Sequence, residues 1–184
     1  MSNELQPTNV LEKARDMALQ KLGRNIFNFG LAEQWLKYIV TASDVTTTGT
    51  GLDSKTAKKA DKALKMMLGQ LVSEILEKWH PDNLLTNHQI QDLFDVRMAH
   101  TFRIEMDFEG YGVVKKSLEE MVSDRNDLIH QFTKNFSLKT VENCHEAVLY
   151  LDEQREKHLS IMQNLQEIVK THIGLVEDIK QSFE

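Results

Sequence analysis

The run from Thr140 to Ser182, TVENCHEAVLYLDEQREKHLSIMQNLQEIVKTHIGLVEDIKQS, decides the fold class. It holds no proline and one glycine, Gly174. Val141, Cys144, Val148, Leu151, Arg155, His158, Met162, Leu165, Val169, His172, Val176 and Ile179 recur at alternating three- and four-residue steps, and most are apolar. That spacing is the seam of a long helix, capped at its start by Thr140. About 40 residues at a rise of 1.5 Å span roughly 60 Å, more than the roughly 40 Å diameter of a compact chain this size. The helix is therefore expected to overhang, to break near Gly174, or to pack along another molecule. His158 and His172 on the seam read as edge or interface residues.

Working backwards, Val113 to Thr133 reads as another long helix, preceded by Gly110 and Gly112. Between Val96 and Phe108 the helical period is lost. Val96, Met98, Phe102, Ile104, Met106 and Phe108 alternate with Arg97, Ala99, Arg103, Glu105 and Asp107, the period of an extended segment. Such a strand needs a partner, and the pattern names none. Thr86 and Gln89 form a capping box for a short helix to Phe94. Ser54 to Trp79 reads as one helix with an apolar stripe of Leu64, Met67/Leu68, Leu71 and Ile75, stopped by Pro81. Asp44 to Asp53 is Thr/Gly-rich, lacks the lysine of a phosphate-binding loop, and reads as a connector. Asn9 to Ser43 is the remaining long helix, its stripe running through Ala14, Ala18, Leu22, Ile26, Phe29, Glu33 and Leu36. Gly23 and Gly30 inside it suggest either close helix crossings at those points or a kink. The expected fold is all-α: an antiparallel bundle of about four long helices, with a short helix and a small extended segment near residues 96–108, forming one domain over 1–184.

Composition agrees. Of 184 residues, 41% are apolar, enough for a core, and only two are proline. The lone cysteine, Cys144, cannot form an internal disulfide, and no cysteine–histidine cluster has zinc spacing. The first residues lack the pattern of a signal peptide, and no apolar run is long enough to cross a bilayer, so a cytoplasmic location is expected. A net charge of −6 argues against general nucleic-acid binding and leaves room only for local contact with RNA. One local candidate is the row Lys55, Lys58, Lys59 and Lys62, either a solvated face or a strip that tracks phosphates.

The run with chemistry in it is Ser123-Asp124-Arg125-Asn126-Asp127-Leu128-Ile129-His130-Gln131-Phe132. Leu118, Val122, Arg125, Ile129 and Phe132 share one stripe, so Arg125 stands where an apolar residue is expected. A buried guanidinium needs an anionic or polar partner. Asn126 lies one turn before His130 and can orient its imidazole. Arg125 and His130 leave a regular helix about 140° apart, so a bend or a second copy is needed to bring them together. Asp124 and Asp127 do not complete a convincing metal-ligand set with these residues, and no metal or other cofactor is expected.

Arg125, Asn126 and His130, with Leu128 and Ile129 before the histidine, resemble the signature motif of the HEPN superfamily: an arginine, a polar residue, a short spacer and a histidine. Long helices with the motif on a late helix fit as well, and Asn25–Glu33 resembles the first helix of some bacterial members. The resemblance implies a metal-independent endoribonuclease acting as a homodimer, with Arg125, His130 and Asn126 in a composite site. It also implies a toxin–antitoxin or phage-defence setting, with an antitoxin or a nucleotidyltransferase-like protein as partner. The alternative it carries is a non-catalytic nucleotide- or RNA-binding or protein-interaction module.

Overall fold

A computed structural model describes residues 7–48, 51–52, 54–85, 96–102 and 104–182. The fold is an all-α helical bundle carrying one small sheet. The elements in order are α1 (Pro7–Ala42), β1 (Asp44–Thr48), β2 (Gly51–Leu52), α2 (Ser54–Lys65), α3 (Leu68–Trp79), a 3₁₀ turn (Pro81–Leu85), β3 (Val96–Thr101), α4 (Phe108–His130), α5 (Phe132–Asn135) and α6 (Val141–Gln181). No helix among the described residues is long and apolar enough to cross a membrane.

Local chemistry sets the helix ends. Thr140 caps α6 as expected, its Oγ1 accepting from the Asn143 N–H at 3.2 Å. The helix continues through Gly174 without a break. In contrast to the expected start at Val113, α4 begins at Phe108. Asp107 supplies the cap, accepting from the Gly110 N–H at 2.7 Å. A Cβ on Gly110 would stand 3.0 Å from that carboxylate, so glycine leaves the cap room. The single helix expected over Ser54–Trp79 is two: Met66 and Met67 interrupt it, Met67 is extended, and its N–H donates to the Gln70 side chain at 3.0 Å. The interruption shifts the phase, so Leu64 and Met67 are exposed while Leu68, Leu71 and Ile75 are buried. Pro81 stops α3 at Trp79 by holding His80 extended. The short helix expected near Thr86–Phe94 lies outside the described residues.

The connector expected at 44–53 is a strand pair, and it supplies the partner that the extended segment lacked. β1 pairs antiparallel with β3, with Val45 opposite His100, Thr46 opposite Ala99 and Thr47 opposite Met98, and an irregularity at Thr47/Thr48. β2 adds to the other edge of β1, giving the order β2-β1-β3. Threonine and valine suit a pleated strand, and the run Val45–Thr48 acts on that preference.

The chain divides into two compact units, residues 1–31 with 120–160 and residues 32–119 with 161–184. In the first, Asn25 and Phe29 of α1 meet Leu151, Gln154 and His158 of α6 in ascending order, so these helices run parallel. Asp124 of α4 meets Gln154 and His158, while Phe136, after α5, stacks near Tyr150, so α4 runs antiparallel to α6. The core stripe of α1 here is Ala14, Ala18, Asn25 and Phe29. Ile26, expected inside, is 45% exposed. Gly23 and Gly30 are exposed, with nothing within 4 Å of an added Cβ. They make no close crossing among the described residues, although each costs its helix about 1 kcal/mol relative to alanine. In the second unit, Leu36, Ile39, Leu68, Leu71, Ile75 and Leu118 are fully buried. His172 is buried there too; its Nδ1 stands 2.8 Å from the Tyr38 hydroxyl, and its ring lies against Phe102.

Candidate functional site

Arg125 sits on the inward stripe of α4 with Leu118, Met121 and Leu128, all three of which are buried, as is Phe132 at the start of α5. The arginine itself is half-buried. Its guanidinium Nη1 donates to Asn126 Oδ1 at 3.1 Å. Asn126 therefore holds the arginine, rather than the imidazole assigned to it from spacing. His130 is the last residue of α4 and is exposed, as are Asn126 and Asp127. Among the described residues it forms no hydrogen bond or ion pair.

The helix stays regular through His130, and the interruption comes after it, at Gln131, before α5. Within one chain Arg125 and His130 therefore leave α4 about 140° apart. One copy presents an arginine on its inner flank and a histidine on its outer face, and does not converge them.

The densest side-chain chemistry of this unit lies beside that arginine, and the sequence reading passed over most of it. His158, read as an edge or interface residue, is 4% exposed. Its Nε2 lies 2.8 Å from Asp124 Oδ2, and its ring stands edge-on to Phe29. Lys157 Nζ reaches the same carboxylate at 3.0 Å and Glu120 at 3.4 Å. Gln154, 4% exposed, donates to the Asp124 carbonyl at 3.2 Å and to the Tyr150 hydroxyl at 3.3 Å. Its Oε1 accepts from Asn25 Nδ2 at 3.1 Å, and the same amide donates to the Leu151 carbonyl at 2.7 Å. Asn25 is 2% exposed. A chain of hydrogen bonds thus ties α1, α4 and α6 together one residue before Arg125.

Burial pushes the His158 imidazole below its ordinary pKa, against the opposing pull of Asp124. The neutral ring donates Nε2–H to the carboxylate, and Phe29 covers one side. Burial pulls Lys157 down, but its bonds to Asp124 and Glu120 outweigh that and hold it above the ordinary range. Burial raises Tyr150, with Asp124 and Asp127 adding to the rise. Asp152 is held low by its bond to Lys21, with Arg24 contributing. His158, Lys157 and Asp152 are each matched to a partner on a neighbouring helix, and Tyr150 to Gln154 of its own helix. The network is a positioning frame: it sets the rotation of α4, and through it the direction in which Arg125 points.

The lysine row lies on α2, in the other unit. Lys55 and Lys58 are exposed, Lys59 is half-buried, and Lys62 reaches Glu74 at 3.3 Å. Lys65, on the same helix, pairs with Asp61. Among the described residues no group of three or more His, Cys, Asp or Glu is gathered to hold a metal ion.

Compared with family models, curated proteins and solved structures, the chain matches none.

Proposed function

We propose that this chain is a metal-independent endoribonuclease of the HEPN type that works as a homodimer, with Arg125, Asn126 and His130 of each copy in one composite site. The observation that carries this reading is the pairing of a half-buried Arg125, held by Asn126, with an exposed His130 one turn later on the same helix, unable to converge within one copy. A guanidinium held by an amide is a fixed cation for a phosphate whose charge grows as it becomes pentavalent. Histidine, with a reference pKa near 6.5, serves as base or acid at neutral pH.

RNA supplies its own nucleophile. The His130 of one copy takes the proton from the 2′-hydroxyl, and the 2′ oxygen attacks the adjacent phosphorus. Arg125 holds the phosphate oxygens, and the His130 of the second copy protonates the departing 5′ oxygen. The products are a 2′,3′-cyclic phosphate and a 5′-hydroxyl. Each copy gives one histidine, so base and acid together require two. Lys55, Lys58 and Lys62 are the exposed members of the lysine row that can guide a phosphate backbone. An antitoxin or nucleotidyltransferase-like partner, in a toxin–antitoxin or phage-defence setting, belongs to this same reading, which rests on the motif's resemblance.

The test is incubation of the protein with mixed-sequence RNA in EDTA, followed by end analysis of the products. Cyclic phosphate and 5′-hydroxyl ends support the reading. Intact RNA that is nevertheless bound by the wild type, and not by Arg125→Ala, replaces it with the non-catalytic binding module.

A further inference from the structure

The outer face of α1 in the first unit differs from the rest of the surface. Between residues 18 and 31 its exposed positions are Leu19, Gln20, Gly23, Ile26, Phe27 and Gly30. None is charged, in a chain of which 27% is charged. The two cations of the stretch, Lys21 and Arg24, both turn to Asp152 on α6. Leu19 is 47% exposed, Ile26 45% and Phe27 66%. Loss of charge with retention of large apolar groups marks the centre of an interface rather than a solvated face. The glycines add a second sign: they weaken the helix, and among the described residues no atom approaches them closely enough to need them.

We infer that this face is the contact between two copies of the chain, with the two α1 helices packed antiparallel about a two-fold axis level with Arg24 and Asn25. The spacing is self-complementary in that register. Leu19 of one copy meets Gly30 of the other and Ile26 meets Gly23, so each large side chain enters the gap left by a glycine. A two-fold interface requires this reciprocity. The parallel register would set glycine against glycine and leave the gaps unfilled.

The same register places the candidate site. Asn25 and Asp124 both bond to Gln154, so Arg125 stands at the level of the axis. Asp124 occupies the flank of α4 that faces α6. Arg125 and Ile129 occupy the opposite flank, which in a unit of three long helices is the α1 side; Ile129 is 46% exposed. The uncharged face therefore continues from α1 onto the flank that bears Arg125, and the two arginines straddle the axis. Phe27 with half of each of Leu19, Ile26 and Ile129 supplies roughly 300 Å² of apolar surface per copy. A standard interface of about 800 Å² per partner carries roughly 500 Å². The backbone at the glycines and the stem of Gln20 adjoin this core, giving an association of micromolar rather than nanomolar strength.

This inference rests on the dimeric reading above, and the following experiment separates the two. Sedimentation equilibrium of the wild type at about 50 µM should give twice the 21.3 kDa chain mass. Ile26→Glu, at an exposed position outside the motif, should weaken association at least tenfold while leaving helicity unchanged. Oxidation of a Gly23→Cys/Ile26→Cys variant should give a covalent dimer linked 23 to 26; Cys144 is buried and serves as the internal control. A wild type of single-chain mass, an unchanged Ile26→Glu, or linkage only of 23 to 23 and 26 to 26 would each overturn the inference. Association that Ile26→Glu breaks, in a protein that cleaves no RNA, would uphold the interface and remove the ribonuclease reading.

Discussion

Removing the Asp124 carboxylate tests the frame that aims Arg125. His158 is 4% exposed, and its Nε2 has that carboxylate at 2.8 Å. In Asp124→Ala the imidazole keeps its burial and loses its acceptor, at a cost of about 1–3 kcal/mol. Lys157, 43% exposed, keeps Glu120, so after screening its loss adds under about 1 kcal/mol. The two together come to about 1–4 kcal/mol, or about 2–16 °C in Tm for a chain of this length. Urea unfolding followed by far-UV circular dichroism at pH 7.5 measures it, with an unchanged m-value showing that the denatured state is not the cause. Asp127→Ala, three residues further on and exposed, is the control and should stay within about 0.5 kcal/mol of wild type. If Asp124→Ala were equally mild, the bond to His158 would not be holding the helices, and the frame argument would fail.

The remaining predictions use the same assays. Because burial lowers the His158 pKa below its unfolded value near 6.5, the unfolded chain binds more protons over that interval; stability should be full above pH 6.5 and fall as the pH drops through the folded pKa, and His158→Gln should flatten this slope. Asn25→Ala removes the donor to the Leu151 carbonyl and to Gln154, and should cost about 2 kcal/mol by the same urea titration, though an exposed asparagine would cost almost nothing. RNA cleavage should proceed at the same rate in EDTA and in magnesium; activity abolished by chelation and restored by a divalent ion would point to a different chemistry.

Helix identity was readable wherever apolar periodicity and caps agree, as at Thr140 and the stop before Pro81. The core register was harder to read. In α6 the inward positions alternate between the expected Cys144, Leu151, His158, Leu165 and the unexpected Ala147, Gln154, Ile161. Spacing alone favours Val148, Arg155 and Met162, whereas packing chose the small Ala147, a bonded Gln154 and Ile161. In α1 the same bias favours Ile26 over Asn25. The burial of Asn25 is offset by partners on α6, and that of Gln154 by partners on α1 and α4, and one strand of periodicity does not display them. The β1–β3 pairing was hidden for a related reason: its two strands are about fifty residues apart, beyond any local pattern. At the candidate site, the half-burial of Arg125 was legible because an arginine interrupts an apolar stripe. The Asp124–His158 bond was not, since the two residues look like an exposed acid and a seam histidine until the helices are set side by side.

The most direct measurement of the central claim is the RNA cleavage rate of His130→Ala at matched protein concentration, with helicity and Tm recorded on the same samples. His130 is exposed and makes no bond to a described residue, so the substitution should leave Tm within about 1 °C. Cleavage should fall by about a hundredfold or more, the scale of a lost acid–base group. Mixed dimers with one altered chain should be strongly impaired as well, since each lacks either the base or the acid. A His130→Ala homodimer that cleaves RNA at close to the wild-type rate would contradict the account.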